Sequence, residues 1–324
     1  MGFYEGKNVL VSGGAGFIGS HVVELLLSNG ANVSVVTRKK DSKKTQSNLR
    51  ASIKKINLLE ADLINFQDCK NVVKGQDFVF NCASLVGSIE YSKAHADILR
   101  TNVLIELNLL EASRLNNIEK YLMLSSAEVY PKELNGFMKE EDSLLGEISD
   151  SKFGYGWSKR ANEAAAKAYS KQYNMKIAIV RPSNVYGPRD NFFSGKELVV
   201  PAFIKNVFSN KNIEISGDGL QIRNFTYVKD CAKGMLLAME KHCNADPINI
   251  ATSEQTTVKE LAEKIIAFSG KSVSINYDKK SSSGPKMVVL DTSKAKKLIG
   301  FKASVSLDKG LNETIDWFKE TNQK

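Results

Sequence analysis

The sequence predicts an α/β fold, with a doubly wound parallel sheet and a smaller mixed α/β C-terminal lobe. Two observations carry this prediction. Six short apolar runs alternate with helical patterns through the first 187 residues, as in parallel strands joined by right-handed crossovers. Beyond residue 188 the alternation weakens. We therefore predict one domain of residues 1–187 plus about 225–252, and a substrate lobe of residues 188–224 and 253–324.

The first predicted strand runs directly into a glycine-rich turn. Residues 8–21 read NVLVSGGAGFIGSH, and a helical pattern continues to Gly30. Glycines between a strand and a helix permit a tight turn and a close approach of the backbone to a pyrophosphate. The helix N-terminus attracts the same group. This stretch predicts a dinucleotide-binding site of the Rossmann type.

The end of the second predicted strand, residues 31–37, bears on the choice of nicotinamide cofactor. Thr37 and Arg38 lie there, and no carboxylate follows until Asp41. A carboxylate at this position binds the ribose 2′-OH, whereas arginine accommodates a 2′-phosphate. We therefore predict a preference for NADP(H), with NAD(H) as the alternative.

Four further strands and a long helix complete the predicted sheet domain. The fourth strand ends in small residues, among them Ala83 and Ser84, which leave room for cofactor and substrate at the carboxyl edge of the sheet. Two polar segments, 41–51 and 131–152, are predicted to be irregular. The remaining strands are predicted at 55–59, 77–81, 120–124 and 177–180, the long helix at 98–116 and a later strand at 247–250.

Tyr155 and Lys159 carry the predicted chemistry. Their four-residue spacing places both side chains on one face of a helix. The pattern predicts helix most strongly over 161–169, and we expect the residues just before it to belong to the same helix. A neighbouring ammonium lowers the pKa of a tyrosine that acts as acid or base. Ser126, at the end of the fifth strand, is placed to donate a hydrogen bond to the substrate oxygen. Lys159 is also expected to hold the cofactor ribose.

Composition limits the other functions. The formal net charge is +9, but no nucleic-acid-binding module is present, and we expect no nucleic-acid partner. No apolar run reaches membrane-spanning length. The first strand begins near residue 8, without room for a signal peptide, so we expect a cytoplasmic location. The four cysteines and three histidines lack metal-ligand spacing, and we expect neither a metal site nor disulfides.

Five segments together resemble the extended short-chain dehydrogenase/reductase family, in the branch that acts on nucleotide sugars. They are GGAGFIGSH, SSAEVY, YxxxK, RPSNVYGPR and RNFTYVKD, and the resemblance covers nearly the whole chain. It implies a nucleotide-sugar substrate and a homodimer formed through a four-helix contact. It also implies a catalytic triad of Ser126, Tyr155 and Lys159. The other implied residues are Gly13, Gly16, Phe17, Ile18 and Gly19 along the dinucleotide, Asp62 and Leu63 at the adenine, and Asn184, Arg223 and Arg189 at the substrate.

The subfamily stays open among three activities. GPRDNFF followed by VVPAFI resembles the reductase/epimerases that make GDP-fucose from a 4-keto-6-deoxy sugar. Glu128 and Leu198 replace their epimerisation residues, which leaves 4-keto reduction as the leading function. Glu128 matches the base of sugar-nucleotide 4,6-dehydratases, the second alternative. UDP-sugar 4-epimerases, the third, usually carry an acidic residue where Thr37 lies. A non-catalytic, NADP-sensing protein is the alternative from another functional class.

Overall fold

A seven-stranded parallel sheet forms the centre of the fold. The computed structural model describes residues 2–86, 94–193, 197–281 and 284–322. The strands are β1 (Asn8–Ser12), β2 (Asn32–Thr37), β3 (Asn57–Glu60), β4 (Phe78–Asn81), β5 (Lys120–Leu124), β6 (Gly136–Met138), β7 (Ile177–Pro182), β8 (Val185–Tyr186), β9 (Ile213–Ser216), β10 (Ile222–Arg223), β11 (Thr226–Tyr227), β12 (Ile248–Ile250), β13 (Thr256–Thr257), β14 (Ile275–Asp278) and β15 (Met287–Leu290). The sheet order is β3-β2-β1-β4-β5-β7-β12.

Helices cover both faces of this sheet. They are α1 (Phe17–Ser28), α2 (Lys43–Asn48), α3 (Phe66–Val73), α4 (His95–Leu115), α5 (Phe153–Tyr173), α6 (Val199–Phe208), α7 (Val228–Lys241), α8 (Val258–Ser269), α9 (Ser293–Ile299) and α10 (Leu307–Asn322). Strand β1 contributes side chains to both faces. Val9 and Val11 pack toward α1 and α7, whereas Leu10 packs toward α3, α4 and α5. Both faces are buried, as the apolar strands of a parallel sheet require.

A separate apolar cluster fills the C-terminal part of the chain. It includes Phe203 on α6, Leu261 on α8 and Leu311 on α10. Short strands surround it, in a four-stranded sheet of order β13-β10-β15-β6 and two strand pairs, β8–β11 and β9–β14. The mixed C-terminal lobe is therefore confirmed as part of the fold class, while the domain boundaries given above stay a prediction.

The structure corrects several predicted elements. The sheet has seven parallel strands instead of six, because β12 pairs with β7. Segment 41–51 is not wholly irregular: α2 forms there, and the Ser42 side chain caps it by accepting from the Thr45 N–H. Segment 131–152 supplies β6, which pairs with β15. Helix α5 is also much longer than predicted and contains Tyr155 and Lys159. No described helix is long and apolar enough to span a membrane.

Candidate active site

The glycine turn brings three chain segments into close contact. Gly13 has φ +66°, and a Cβ atom there would lie 2.8 Å from backbone atoms of Cys82 and Ala83. Gly19 packs against the Gly13 carbonyl. Residues with side chains would force the ends of β1, β4 and α1 apart. The turn therefore leaves bare backbone at the carboxyl edge of the sheet.

The N-terminus of α1 is open to an anionic ligand. Gly16 precedes the helix without a side-chain cap, and the first turn carries no acidic residue. The backbone N–H groups around Phe17 and Ile18 thus form the positive end of a twelve-residue helix. Such a terminus suits a pyrophosphate. The residues of the turn fit a dinucleotide cofactor.

The end of β2 forms the second part of this surface. Thr37 Oγ1 lies 3.2 Å from Thr45 Oγ1 on α2, so α2 closes over the strand end. Arg38 is exposed. Two residues further on, the Lys40 N–H donates to the Glu60 carboxylate at 3.0 Å. The Arg38 guanidinium is therefore accessible to a ligand that extends past the end of β2.

Two more predicted cofactor positions lie at the neighbouring strand ends. Asp62 and Leu63 follow β3, where Oδ1 of Asp62 accepts from the Ile64 N–H and the Leu63 carbonyl accepts from Nδ2 of Asn108. The Ala83 N–H follows β4 and donates to Ser12 Oγ at 3.3 Å. These contacts fix loops that adjoin the glycine turn.

Lys159, Tyr155 and Ser126 come together where β5 meets α5. The Lys159 ammonium is buried, donates to the Leu124 carbonyl at 2.8 Å and lies 5.6 Å from the centre of the Tyr155 ring. Ser126 directly follows Leu124 and Ser125, and its Oγ accepts from the Glu128 N–H at 3.2 Å. The two predicted chemical groups on α5 thus face the strand end that carries the serine.

The tyrosine pKa differs from the sequence-based expectation. Burial raises the pKa of Tyr155 to about 12, although a hydrogen bond with Ser126 opposes the change. Burial also lowers the pKa of Lys159. The prediction of a lowered tyrosine pKa is therefore wrong, because burial disfavours the charged phenolate. At neutral pH Tyr155 is a protonated phenol, the form that donates a proton.

A buried ion pair behind the serine was not found from sequence. Arg181 donates to both oxygens of Glu163, at 2.8 and 2.6 Å, and is only 1% exposed. Glu163 also accepts from Ser125 Oγ at 2.6 Å. The other Arg181 donors bond to Tyr130, Glu140 and Ser143. The network thus links β7, α5 and segment 131–152 around the residue next to Ser126. Its only sequence signal is an arginine that opens RPSNVYGPR.

Glu128 lies at the mouth of the same site, in an ion pair. The Lys152 ammonium donates to its Oε1 at 2.6 Å, and both side chains are a little over one-third exposed. The charge of Glu128 also acts on Tyr155 and on Arg223. Arg223 itself bonds to the carbonyls of Ile222 and Pro285. Glu128 is therefore close enough to affect both the predicted catalytic tyrosine and a predicted substrate-binding arginine.

Three predicted substrate residues have different surroundings. Asn184 has φ +37° and donates to the Asn224 carbonyl at 3.2 Å. The Ser84 hydroxyl is buried, and within the described ranges it has no hydrogen-bond partner. Arg189 is instead engaged by α1, with both terminal nitrogens bonded to Glu24 at 2.7 and 2.8 Å. The guanidinium of Arg189 thus has a carboxylate partner, and its role in substrate binding stays a prediction.

No group of three or more potential metal ligands occurs among the residues that the structure describes. The glycine turn, the parallel sheet and the serine–tyrosine–lysine group define the class, that of a Rossmann-fold protein of the extended short-chain dehydrogenase/reductase type. Comparison with known families agrees. Residues 9–251 match the model of the NAD dependent epimerase/dehydratase family. The chain belongs to this family and is an enzyme, so the non-catalytic alternative is wrong.

Individual relatives span several reactions. The chain is 31% identical to GDP-mannose 3,5-epimerase 1 of Oryza sativa subsp. japonica, covering 99% of this chain and 84% of that protein. It is 31% identical to dTDP-4-dehydro-6-deoxy-D-allose reductase of Streptomyces sp, covering 98% and 97%. The solved structure of UDP-glucose 4-epimerase of Thermotoga maritima with UDP-glucose is similar at TM-score 0.88 and 30% identity, covering 97% and 99%.

Proposed function

We propose that this enzyme reduces the 4-keto group of a nucleotide-linked 4-keto-6-deoxyhexose, with NADPH as the reductant. The observation that carries the proposal is the Lys152–Glu128 ion pair at 2.6 Å. The ammonium engages Oε1 of this carboxylate, so Glu128 already has a structural partner in the site. On this assignment Tyr155 is the proton-transferring group, and Glu128, held by Lys152, is not used as the second base that elimination would need. Leu198 likewise replaces a potential acid or base.

Tyr155 supplies the proton in this reaction. The bound cofactor supplies hydride to C4 of the sugar. The Tyr155 phenol gives its proton to O4 as the ketone becomes an alcohol, and solvent later restores it. The Ser126 hydroxyl donates a hydrogen bond to O4, and Lys159 holds the ribose and stabilises the phenolate. The raised tyrosine pKa supports this direction, because the phenol is fully protonated before the step.

We propose NADP(H) as the preferred cofactor. Arg38 at the exposed end of β2 offers a bidentate fork to a 2′-phosphate. Lys39, Lys43 and Lys44 follow on the same loop and α2, and their charge adds attraction. The family description names NAD, so NAD(H) is the alternative that a direct comparison of the two cofactors distinguishes.

We propose that the substrate diphosphate binds Arg223 and Asn184, with Ser84 near the sugar. The Arg223 guanidinium is partly buried, and burial lowers its pKa. It would therefore gain from an anion that neutralises it, and a diphosphate matches its charge and fork. The buried Ser84 hydroxyl could then bond to a sugar hydroxyl. We propose that three loops, 84–91, 131–152 and 189–198, select the sugar; parts of the first and the third lie outside the described residues.

We also propose a homodimer through α4 and α5. Leu107 and Leu115 on α4 and Tyr173 on α5 are exposed apolar side chains, between 37% and 46% accessible. The two helices pack side by side on one face of the central sheet. Packing them against the same pair in a second copy would bury this surface and make a four-helix contact.

A 4,6-dehydratase is the second candidate, because the Glu128 charge reaches Tyr155. Isotope transfer separates the two. NADPH deuterated at the transferred position should place one deuterium at C4 of the product of a 4-keto sugar, with mass increased accordingly. Tyr155→Phe should bind cofactor normally and lose turnover by roughly 10²–10⁴-fold. A deuterium-free product, or a 4-keto product formed from the parent 4-hydroxy sugar without external reductant, would overturn the reductase proposal.

A further inference from the structure

A buried carboxylate lies beneath the catalytic residues and takes no part in the proposed reaction. Glu106 on α4 is 2% exposed. One of its oxygens accepts from Asn81 Nδ2 at 2.9 Å and the other from the Tyr121 hydroxyl at 2.8 Å. Asn81 and Tyr121 lie on the central strands β4 and β5. Glu106 is thus held inside the core, under the carboxyl edge of the sheet.

Glu106 and Lys159 lie on α4 and α5, two helices that pack against each other. Asn102 lies one turn before Glu106 on α4, and it donates to Ser158 Oγ at 3.3 Å and accepts from Asn162 Nδ2 at 3.2 Å. Ser158 and Asn162 flank Lys159 along α5. The Lys159 ammonium donates to the Leu124 carbonyl on β5. The same strand carries Tyr121, whose hydroxyl donates to Glu106.

The charges of Glu106 and Lys159 distinguish them from the buried ion pair described above. The Arg181 and Glu163 charges behind Ser126 satisfy each other in two short hydrogen bonds. Within the described chain, Lys159 and Glu106 have no ion-pair partner at 4.0 Å or less, although both are buried. An unbalanced charge in the interior is costly. The electrostatics agree, because the Glu106 charge raises the pKa of Lys159 against the effect of burial.

We propose that Glu106 is the buried counterion of Lys159, a positioning residue that keeps the ammonium charged at alkaline pH and so maintains cofactor binding. The inference rests on the proposed function in one respect, namely that Lys159 holds the cofactor ribose. Glu106 also acts through Asn81, because the side-chain carbonyl oxygen of Asn81 accepts from the Ala83 N–H at 3.2 Å beside the glycine turn. Glu106 therefore supports both the lysine and the adjoining backbone.

The ionisable groups around this pair define its pH behaviour. Lys159 faces Glu106 from α5 and Tyr121 faces it from β5, while Cys82 and Glu163 also act on Lys159. Burial raises the pKa of Glu106 to about 7, against the lowering effect of Lys159. Above that pH the carboxylate is charged and supports the ammonium. Below it the carboxyl is neutral, and Lys159 is protonated without its help.

The test measures NADPH and NADH dissociation constants by nucleotide fluorescence from pH 5.5 to 8.5, without any sugar. Glu106→Gln removes the charge, so the Lys159 pKa falls. We expect binding to weaken at least threefold more at pH 8.5 than at pH 5.5, because a fall in the Lys159 pKa removes charge only at the alkaline end of the range. Titration of the cofactor phosphate cancels in the ratio to wild type. Tyr121→Phe is the matched control, because it removes a hydrogen bond and keeps the charge, and it should not show the alkaline loss.

A loss of cofactor affinity that is the same at every pH, or no loss of affinity, would overturn the counterion role. A second measurement covers the case that Glu106→Gln does not fold. Carboxyl ¹³C NMR of glutamate-labelled protein should show Glu106 titrating near neutrality in wild type and at higher pH in Lys159→Met, and an unchanged midpoint would contradict the proposal. If no 4-keto sugar is reduced but the alkaline loss is found, the proposed reaction fails while the counterion role stands.

Discussion

The Lys152 ammonium donates a 2.6 Å hydrogen bond to Oε1 of Glu128. This pair joins the residue just before α5 to the turn that follows Ser126. Among the residues that the structure describes, Glu128 is the carboxylate whose charge acts on both Tyr155 and Arg223. Whether it is a base or the partner of a lysine decides which reaction the site performs, and its geometry favours the second role.

Glu128→Gln should therefore leave 4-keto reduction largely intact. We expect kcat to fall by less than about fivefold, because the amide oxygen still accepts from Lys152 and no proton passes through residue 128. Initial rates of NADPH oxidation with saturating sugar give the measurement, and Lys152→Gln serves as the matched control. Loss of more than about a hundredfold in Glu128→Gln, with Lys152→Gln active, would mean that the carboxylate is a catalytic base.

Arg38→Ala should weaken NADPH without affecting NADH. A hydrogen bond to a charged group contributes about 1.5–3 kcal/mol, so KM for NADPH should rise by roughly ten- to a hundredfold. Steady-state kinetics with both cofactors check this. Lys54→Ala, another exposed cation on the same domain, is the control and should change neither value. Equal effects of Arg38→Ala on NADPH and NADH would contradict the assigned preference.

Glu163→Gln should destabilise the fold, because it leaves the buried Arg181 charge unpaired. Breaking a buried pair in this way costs about 3–5 kcal/mol, measured as the free energy of unfolding in urea. The exposed pair Lys7–Glu119 gives the comparison, since Lys7→Gln should cost no more than about 1 kcal/mol. Similar losses in the two variants would show that the Arg181 network contributes little to stability.

Stability should also depend on pH through Glu106. Its pKa is about 7 in the fold and about 4.3 when unfolded, so the folded state binds the extra proton. The Glu106 carboxyl makes its full contribution to the free energy of unfolding below its unfolded-state pKa. This contribution is lost as the pH rises through 7. Between pH 4.5 and 8, wild type should lose roughly 3 kcal/mol relative to Glu106→Gln. A constant difference in unfolding free energy across this range would contradict the raised pKa.

Local sequence patterns were sufficient for much of the fold and for the placing of the tyrosine and lysine. Apolar runs predicted the strands, and the four-residue spacing placed Tyr155 and Lys159 on one helical face. The partners of Arg181 were not predictable, because they come from positions 18 to 51 residues away. Strand β6 was missed for the same reason, since it pairs with β15, about 150 residues further on.

The electrostatics of the site could not be obtained from residue types. The expected fall in the tyrosine pKa considered only its neighbour Lys159, whereas burial is the largest influence on this group and raises its pKa. Desolvation depends on everything that surrounds a group in the folded chain. Arg189 likewise fits a substrate motif by sequence but meets Glu24 of α1 in space.

The most direct test follows NADPH absorbance after addition of GDP-, dTDP-, UDP- and CDP-linked 4-keto-6-deoxy sugars. A 4-keto reductase oxidises one NADPH for each sugar converted, and the nucleotide that supports turnover identifies the substrate. We expect stoichiometric loss with at least one member of the panel and none with Tyr155→Phe. No loss with any of them, together with an isomerised or dehydrated product from a parent 4-hydroxy sugar, would contradict the proposed function.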